Sequence, residues 1–126
     1  MPKKNYFLNF GAKKNKYHNI KIHTDDGVFD SNREYRRWRE LKRQQEEGEI
    51  SDLQKQVDFQ LIPTQKRVNP LMNGQKTERS VKYRADFVYM KNGEKVVEDT
   101  KGMKTPDYVI KRKLMLLIHK IEVIEV

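Results

Sequence analysis

The chain has 126 residues, and its charged fraction of 36% equals its hydrophobic fraction. Lys and Arg number 27 against 18 Asp and Glu, a formal net charge of +9, so a polyanionic partner is expected and an acidic small-molecule enzyme is disfavoured. The absence of cysteine excludes disulfide stapling, thiolate zinc sites and a cysteine nucleophile together. The longest apolar run, residues 114–118, is far too short for a membrane span, and no apolar leader follows the basic start. A cytoplasmic protein with no membrane partner is the expectation.

Residues 1–16 are basic and lack periodicity, and they read as an arm ahead of a single domain over residues 17–126. A loosely alternating stretch from Tyr17 to His23, then the turn pair Asp26-Gly27 and Val28-Phe29, predicts a small hairpin with His18 and His23 on its polar face. Ser31 with Glu34 three residues on is a capping-box pattern, with Asp30 as the alternative cap, and the helix it opens runs to Glu47 before Gly48. Its core stripe is Tyr35, Trp38, Leu41 and the stem of Gln45. Arg33, Arg36, Arg37, Arg39, Lys42 and Arg43 make its outer surface basic.

Ile50 and Leu53 read as a short packing connection, and residues 57–62 as a half-buried strand ended by Pro63. Residues 64–79, with Pro70 and Gly74, read as a long loop or a partly ordered flap. Residues 81–90 alternate, with Tyr83, Ala85, Phe87 and Tyr89 on one face and Asp86 and Val88 on the other. Asn92-Gly93 predicts a tight turn into a returning strand over residues 95–101, broken by Gly102. Thr105-Pro106 is a cap with proline at the first helical position. The second helix runs to His119 with Ile110, Leu114, Leu117 and Ile118 inward, and residues 121–126 form a last strand. The fold class is α/β, a mixed sheet of about four core strands flanked by helices in the order αβββαβ, with a small hairpin ahead of it.

The chemistry concentrates on the central hairpin. A turn centred on residues 92 and 93 sets Asp86 across from Asp99, with Lys101 two residues further on the same face. Two carboxylates on adjacent strands repel unless a divalent cation with hard oxygen ligands compensates them. A lysine beside such a site suits phosphodiester hydrolysis, where it orients the attacking water and balances phosphorane charge. The plainer reading is a surface ion pair between Asp99 and Lys101, with Glu98 as a further neighbour. Glu34 shares the inward side of its helix with Trp38 and Leu41, which suits either a cap or an arm of the same site.

This order of elements, with Glu34, with Asp86 in Tyr83-Arg84-Ala85-Asp86-Phe87 and with Asp99-Thr100-Lys101, resembles the PD-(D/E)XK nuclease superfamily, whose fold is restriction-endonuclease-like. Ala85 stands where that superfamily has its naming proline. The chain is also similar to a family of small phage and prophage proteins regarded as endonucleases, and distantly similar to Holliday-junction resolvases. The segments Gly48-Glu49-Ile50-Ser51, Phe59-Gln60-Leu61-Ile62-Pro63, Glu98-Asp99-Thr100-Lys101-Gly102 and Lys111-Arg112-Lys113-Leu114 carry that likeness.

The resemblance implies a DNA endonuclease dependent on Mg²⁺, with Mn²⁺ able to substitute. Asp86 and Asp99 would be metal ligands, helped by a carbonyl near residue 100. Glu34 would bind a second metal or a water, and Lys101 would assist the nucleophile. Gln56 would lie at the site's edge, while Arg36, Arg37, Lys111 and Lys113 would contact DNA phosphates; Tyr108 would pack in the core or line the cleft. Double-stranded or branched DNA and a homodimer are the implied partners. The alternatives are a non-catalytic nucleic-acid binder, an assembly or replication adaptor, or the same chemistry on RNA.

Overall fold

The computed structural model describes residues 20–68, 71 and 73–126, and the chain divides into two units, Met1–Glu40 and Leu41–Val126. The expected arm and His18 lie outside the described residues.

In the first unit, β1 (Ile22–Thr24) and β2 (Gly27–Phe29) form the expected hairpin. The Thr24 hydroxyl closes its turn, accepting from the Asp26 N–H at 3.1 Å and donating to the Gly27 carbonyl at 2.9 Å. Gly27 takes the positive φ of 114° that a turn here requires. Helix α1 (Asn32–Glu46) starts at the expected cap, with Ser31 Oγ accepting the Glu34 N–H at 3.1 Å. Phe29 is buried, its ring centroid 5.1 Å from Tyr35 and 6.1 Å from Trp38.

The second unit is built on a four-stranded sheet. Its strands are β3 (Ser51–Ile62), β6 (Val81–Lys91), β7 (Glu94–Asp99) and β8 (Ile124–Glu125), in that spatial order. β3 and β7 run antiparallel to β6, and β8 runs parallel to β7. Between β3 and β6 the chain makes a separate hairpin of β4 (Gln65–Val68) and β5 (Gln75–Glu78). Asn92 and Gly93 both take positive φ, 51° and 80°, as a two-residue turn of this hand demands. Helix α2 (Pro106–Leu114) is capped by Thr105 Oγ1, which accepts the Tyr108 N–H at 3.2 Å. A single π turn over Met115–His119 follows and ends at Lys120, left-handed at φ 60°. Leu61, Tyr83, Ala85, Val88 and Val97 from the strands meet Tyr108, Met115 and Val123 in one core. His119 fastens the π turn to β3, with Nε2 2.8 Å from the Gln60 carbonyl and its ring edge-on to Phe59. Without the two short hairpins the order is α1-β3-β6-β7-α2-β8, a mixed α/β fold. No described helix is long and apolar enough to cross a membrane.

Several expectations need correction. Residues 65–68 and 75–78, expected within a loop or partly ordered flap, are instead β4 and β5, paired in register; every residue of both strands is exposed, so no apolar alternation marked them. β3 starts at Ser51, not at residue 57, and takes in Leu53 as a half-buried strand residue. β7 ends at Asp99, so Lys101 lies beyond the strand. The second helix gives up its α geometry at Leu114, and Ile110, Leu117 and Ile118 are 58%, 66% and 44% exposed; Tyr108 and Met115 take the buried positions. The last strand shrinks to residues 124–125. Gln45 on α1 is exposed, and its Oε1 accepts the Leu53 N–H at 2.9 Å.

Candidate active site

Strand register sets a row of polar residues across the sheet. Lys55 opposite Phe87 and Val57 opposite Ala85 bracket Gln56 against Asp86. Phe87 opposite Glu98 brings Asp86 across from Asp99 one step further on. Asp99 in turn pairs with Glu125, and the Val126 N–H donates to the Asp99 carbonyl at 3.0 Å.

Asp86 is held through both carboxylate oxygens. Oδ1 accepts from Gln56 Nε2 at 3.4 Å, and Oδ2 accepts from the Thr100 N–H and Thr100 Oγ1, each at 2.7 Å. Donors on both oxygens hold the carboxylate in one orientation. Gln56 reaches Asp86 from a backbone at φ 56°, the left-handed region that a non-glycine residue rarely occupies within a strand.

Asp99 is 2% exposed. Its Oδ2 accepts from the Tyr83 hydroxyl at 2.6 Å, and its Oδ1 lies 3.5 Å from Lys101 Nζ. Burial is the main reason its carboxyl is pushed up from 3.8 to about 6; the Tyr83 hydrogen bond and Lys101 pull it down, and the neighbouring Asp86 pushes it up. Tyr83 is held protonated well above the usual phenol range, by burial first and then by its bond to Asp99. A strict two-residue alternation puts Tyr83 and Asp99 on opposite sides of the sheet, so the bond between them shows that the alternation breaks between Tyr83 and Asp86. Left-handed Gln56 occupies that same row.

Glu98, the acid beside Asp99 in sequence, is 1% exposed and accepts from the Tyr89 hydroxyl at 2.5 Å. As the residue before Asp99 on β7, it points to the other side of the sheet.

A second set of contacts surrounds the lysine. Lys101 Nζ sits 4.5 Å from the centroid of the Tyr108 ring, a cation–π contact on a half-buried side chain. The Tyr108 hydroxyl donates to Glu125 Oε2 at 2.7 Å, which also accepts from Arg112 Nη1 at 2.7 Å. Lys104 Nζ lies 3.0 Å from Glu125 Oε1. Bonds from Tyr108, Lys104 and Arg112 lower the Glu125 carboxyl from 4.5 to about 2. Tyr108 itself is raised above the phenol range, chiefly by burial.

The structure therefore brings Asp86, Asp99 and Lys101 together with Gln56. Glu34 belongs to the first unit, where it is buried near the start of α1, and Arg36 and Arg37 follow it on the same helix. Lys111 is half-buried and Lys113 exposed on α2, while Arg112 between them is engaged by Glu125. Sequence reasoning missed Tyr83 and Glu125. Glu125 enters through a parallel pairing whose register no local turn sets, and Tyr83 enters through the broken alternation. Among the described residues, no group of three or more His, Cys, Asp or Glu side chains is placed to hold a metal ion.

No curated protein and no solved structure matches the chain. Residues 14–123 match the model of a family described as "Protein of unknown function (DUF1064)", and the chain belongs to that family.

Proposed function

We propose that this protein is a divalent-metal-dependent endonuclease that hydrolyses phosphodiester bonds in DNA. The observation that carries the reading is the meeting of Asp86 and Asp99 on adjacent strands with Lys101 Nζ 3.5 Å from Asp99 Oδ1. The Asp99 carboxyl is raised by burial first and then by the Asp86 charge, which the Tyr83 hydrogen bond and Lys101 do not fully offset, and a hard cation suits such an all-oxygen donor pair. Mg²⁺ needs only one or two carboxylates, the rest of its shell being water and substrate phosphate, so a pair of aspartates suffices where no group of three or more His, Cys, Asp or Glu is placed for a metal among the described residues. Bound there, Mg²⁺ or its substitute Mn²⁺ supplies charge stabilisation at the phosphoryl oxygens and a more acidic water.

The chain's own residues do the rest. Gln56 and Thr100 fix the Asp86 carboxylate, and Tyr83 fixes that of Asp99. Lys101, steadied by the Tyr108 ring, orients the attacking water and balances charge on the phosphorane. Attack in line would leave a 5′-phosphate and a 3′-hydroxyl. Lys111 and Lys113 on α2 contribute phosphate contacts that position a duplex without reading its sequence. One site per chain means that cutting both strands takes two chains, as on a branched DNA, or two successive nicks.

Supercoiled plasmid and a four-way junction, incubated with Mg²⁺, Mn²⁺ or EDTA, test the reading. Cleavage is expected with either metal and not in EDTA, with a loss of roughly a hundredfold or more in Lys101→Ala and Asp86→Ala. DNA binding without cleavage in either metal, unchanged by both substitutions, would replace the enzyme with a basic adaptor.

A further inference from the structure

The hairpin of β4 and β5 continues the pairing of β3 with β6 outward. Ile62 opposite Val81 is the last pair of the sheet, and Gln65 opposite Glu78 opens the hairpin in the same register. Pro63 lies in the gap between them and has no N–H to donate to the ladder. The result is a two-stranded ribbon in which every residue of both strands is exposed.

Its charge is one-sided. Residues 63–82 carry Lys66, Arg67, Lys76, Arg79 and Lys82 against Glu78 as their acid. Arg67 stands directly opposite Lys76. Like charges facing each other across a strand pair are destabilising, and among the described residues neither side chain has a carboxylate ion pair to compensate it. A polyanion is what this pair lacks. The shape agrees with the charge, because a two-stranded ribbon fits the B-DNA major groove, about 12 Å wide, and four antiparallel residues reach roughly 14 Å along it.

We propose that the β4–β5 ribbon is a duplex-DNA-binding element that enters the major groove and sets Arg67 and Lys76 against the phosphates lining it. It names the grip for the nuclease proposed above, but it needs no catalysis. Both cations gain a counter-charge on binding, which removes their mutual repulsion.

The test is equilibrium binding of the whole protein to a short labelled duplex in EDTA, across a salt series. Arg67→Ala/Lys76→Ala is expected to weaken binding roughly ten- to a hundredfold at about 0.1 M salt, and to flatten the log–log salt slope by about 1.8, two phosphate contacts' worth. Arg67→Gln/Lys76→Gln should behave alike, and neither variant should melt below the wild type, since the change removes a repulsion. Double-stranded RNA, whose major groove is deep and narrow, should bind more weakly than DNA. An unchanged slope and affinity, equal affinity for RNA, or no binding of duplex DNA by the wild type would each overturn the proposal. Weakened binding in these variants from a chain that cuts nothing in Mg²⁺ would support the ribbon while removing the nuclease reading.

Discussion

Asp99 should make the protein less stable at neutral pH than it would be with an amide in its place. Its carboxyl rises from 3.8 to about 6 on folding, so the folded state holds a proton that the unfolded chain has already released between those values. The native state is therefore favoured below 3.8, and that advantage is lost as pH rises through about 6. At 1.36 kcal/mol per pH unit, the full loss is about 3 kcal/mol. Asp99→Asn keeps an oxygen to accept from Tyr83 and removes the buried charge together with its repulsion by Asp86. Urea denaturation in EDTA should find the variant more stable by up to about 3 kcal/mol near neutrality, with the gap closing at about pH 4. Millimolar Mg²⁺ should stabilise the wild type and leave the variant unmoved. A variant less stable than the wild type near neutrality, or a gap that ignores pH, would refute the electrostatic account of this pair.

Other outcomes follow from single residues. Gln56→Gly should be about 1 kcal/mol more stable than Gln56→Ala by urea midpoint, because both lose the bond to Asp86 and only glycine relieves the left-handed backbone at φ 56°. Glu125, lowered to about 2, contributes stability that is present above about pH 4.5 and lost on acidification toward 2. The melting difference between wild type and Glu125→Gln should therefore be constant from neutrality to about pH 5 and shrink below it. Met115 is fully buried where the π turn begins, and Met115→Ala should cost about 2–5 kcal/mol in urea denaturation.

The features legible from sequence were those fixed within a few residues. The Ser31 and Thr105 hydroxyls cap the helices that follow them, and Asn92-Gly93 turns the chain where expected. Because that turn also counts off the register of β6 against β7, the facing of Asp86 and Asp99 follows from residue spacing alone. What escaped depends on surroundings. β4 and β5 have no buried face, so the alternation that betrays a strand has nothing to write it. The π turn rotates the helix out of its expected stripe and leaves Leu117 and Ile118 in solvent. Glu125 arrives by a parallel pairing across α2, a distance over which local signals are silent.

That parallel pairing also bears on how the chain folds. The other strand pairs in the sheet close around nested hairpins, so each can zip from a turn once its neighbours meet. β8 must wait until α2 and the π turn have carried the chain back to β7, and contacts that close a longer loop form more slowly. Glu125 should accordingly reach Tyr108 late. In pulse-labelled hydrogen exchange, the Val126 amide, bonded to the Asp99 carbonyl, should gain protection after the amides of β6 have gained theirs.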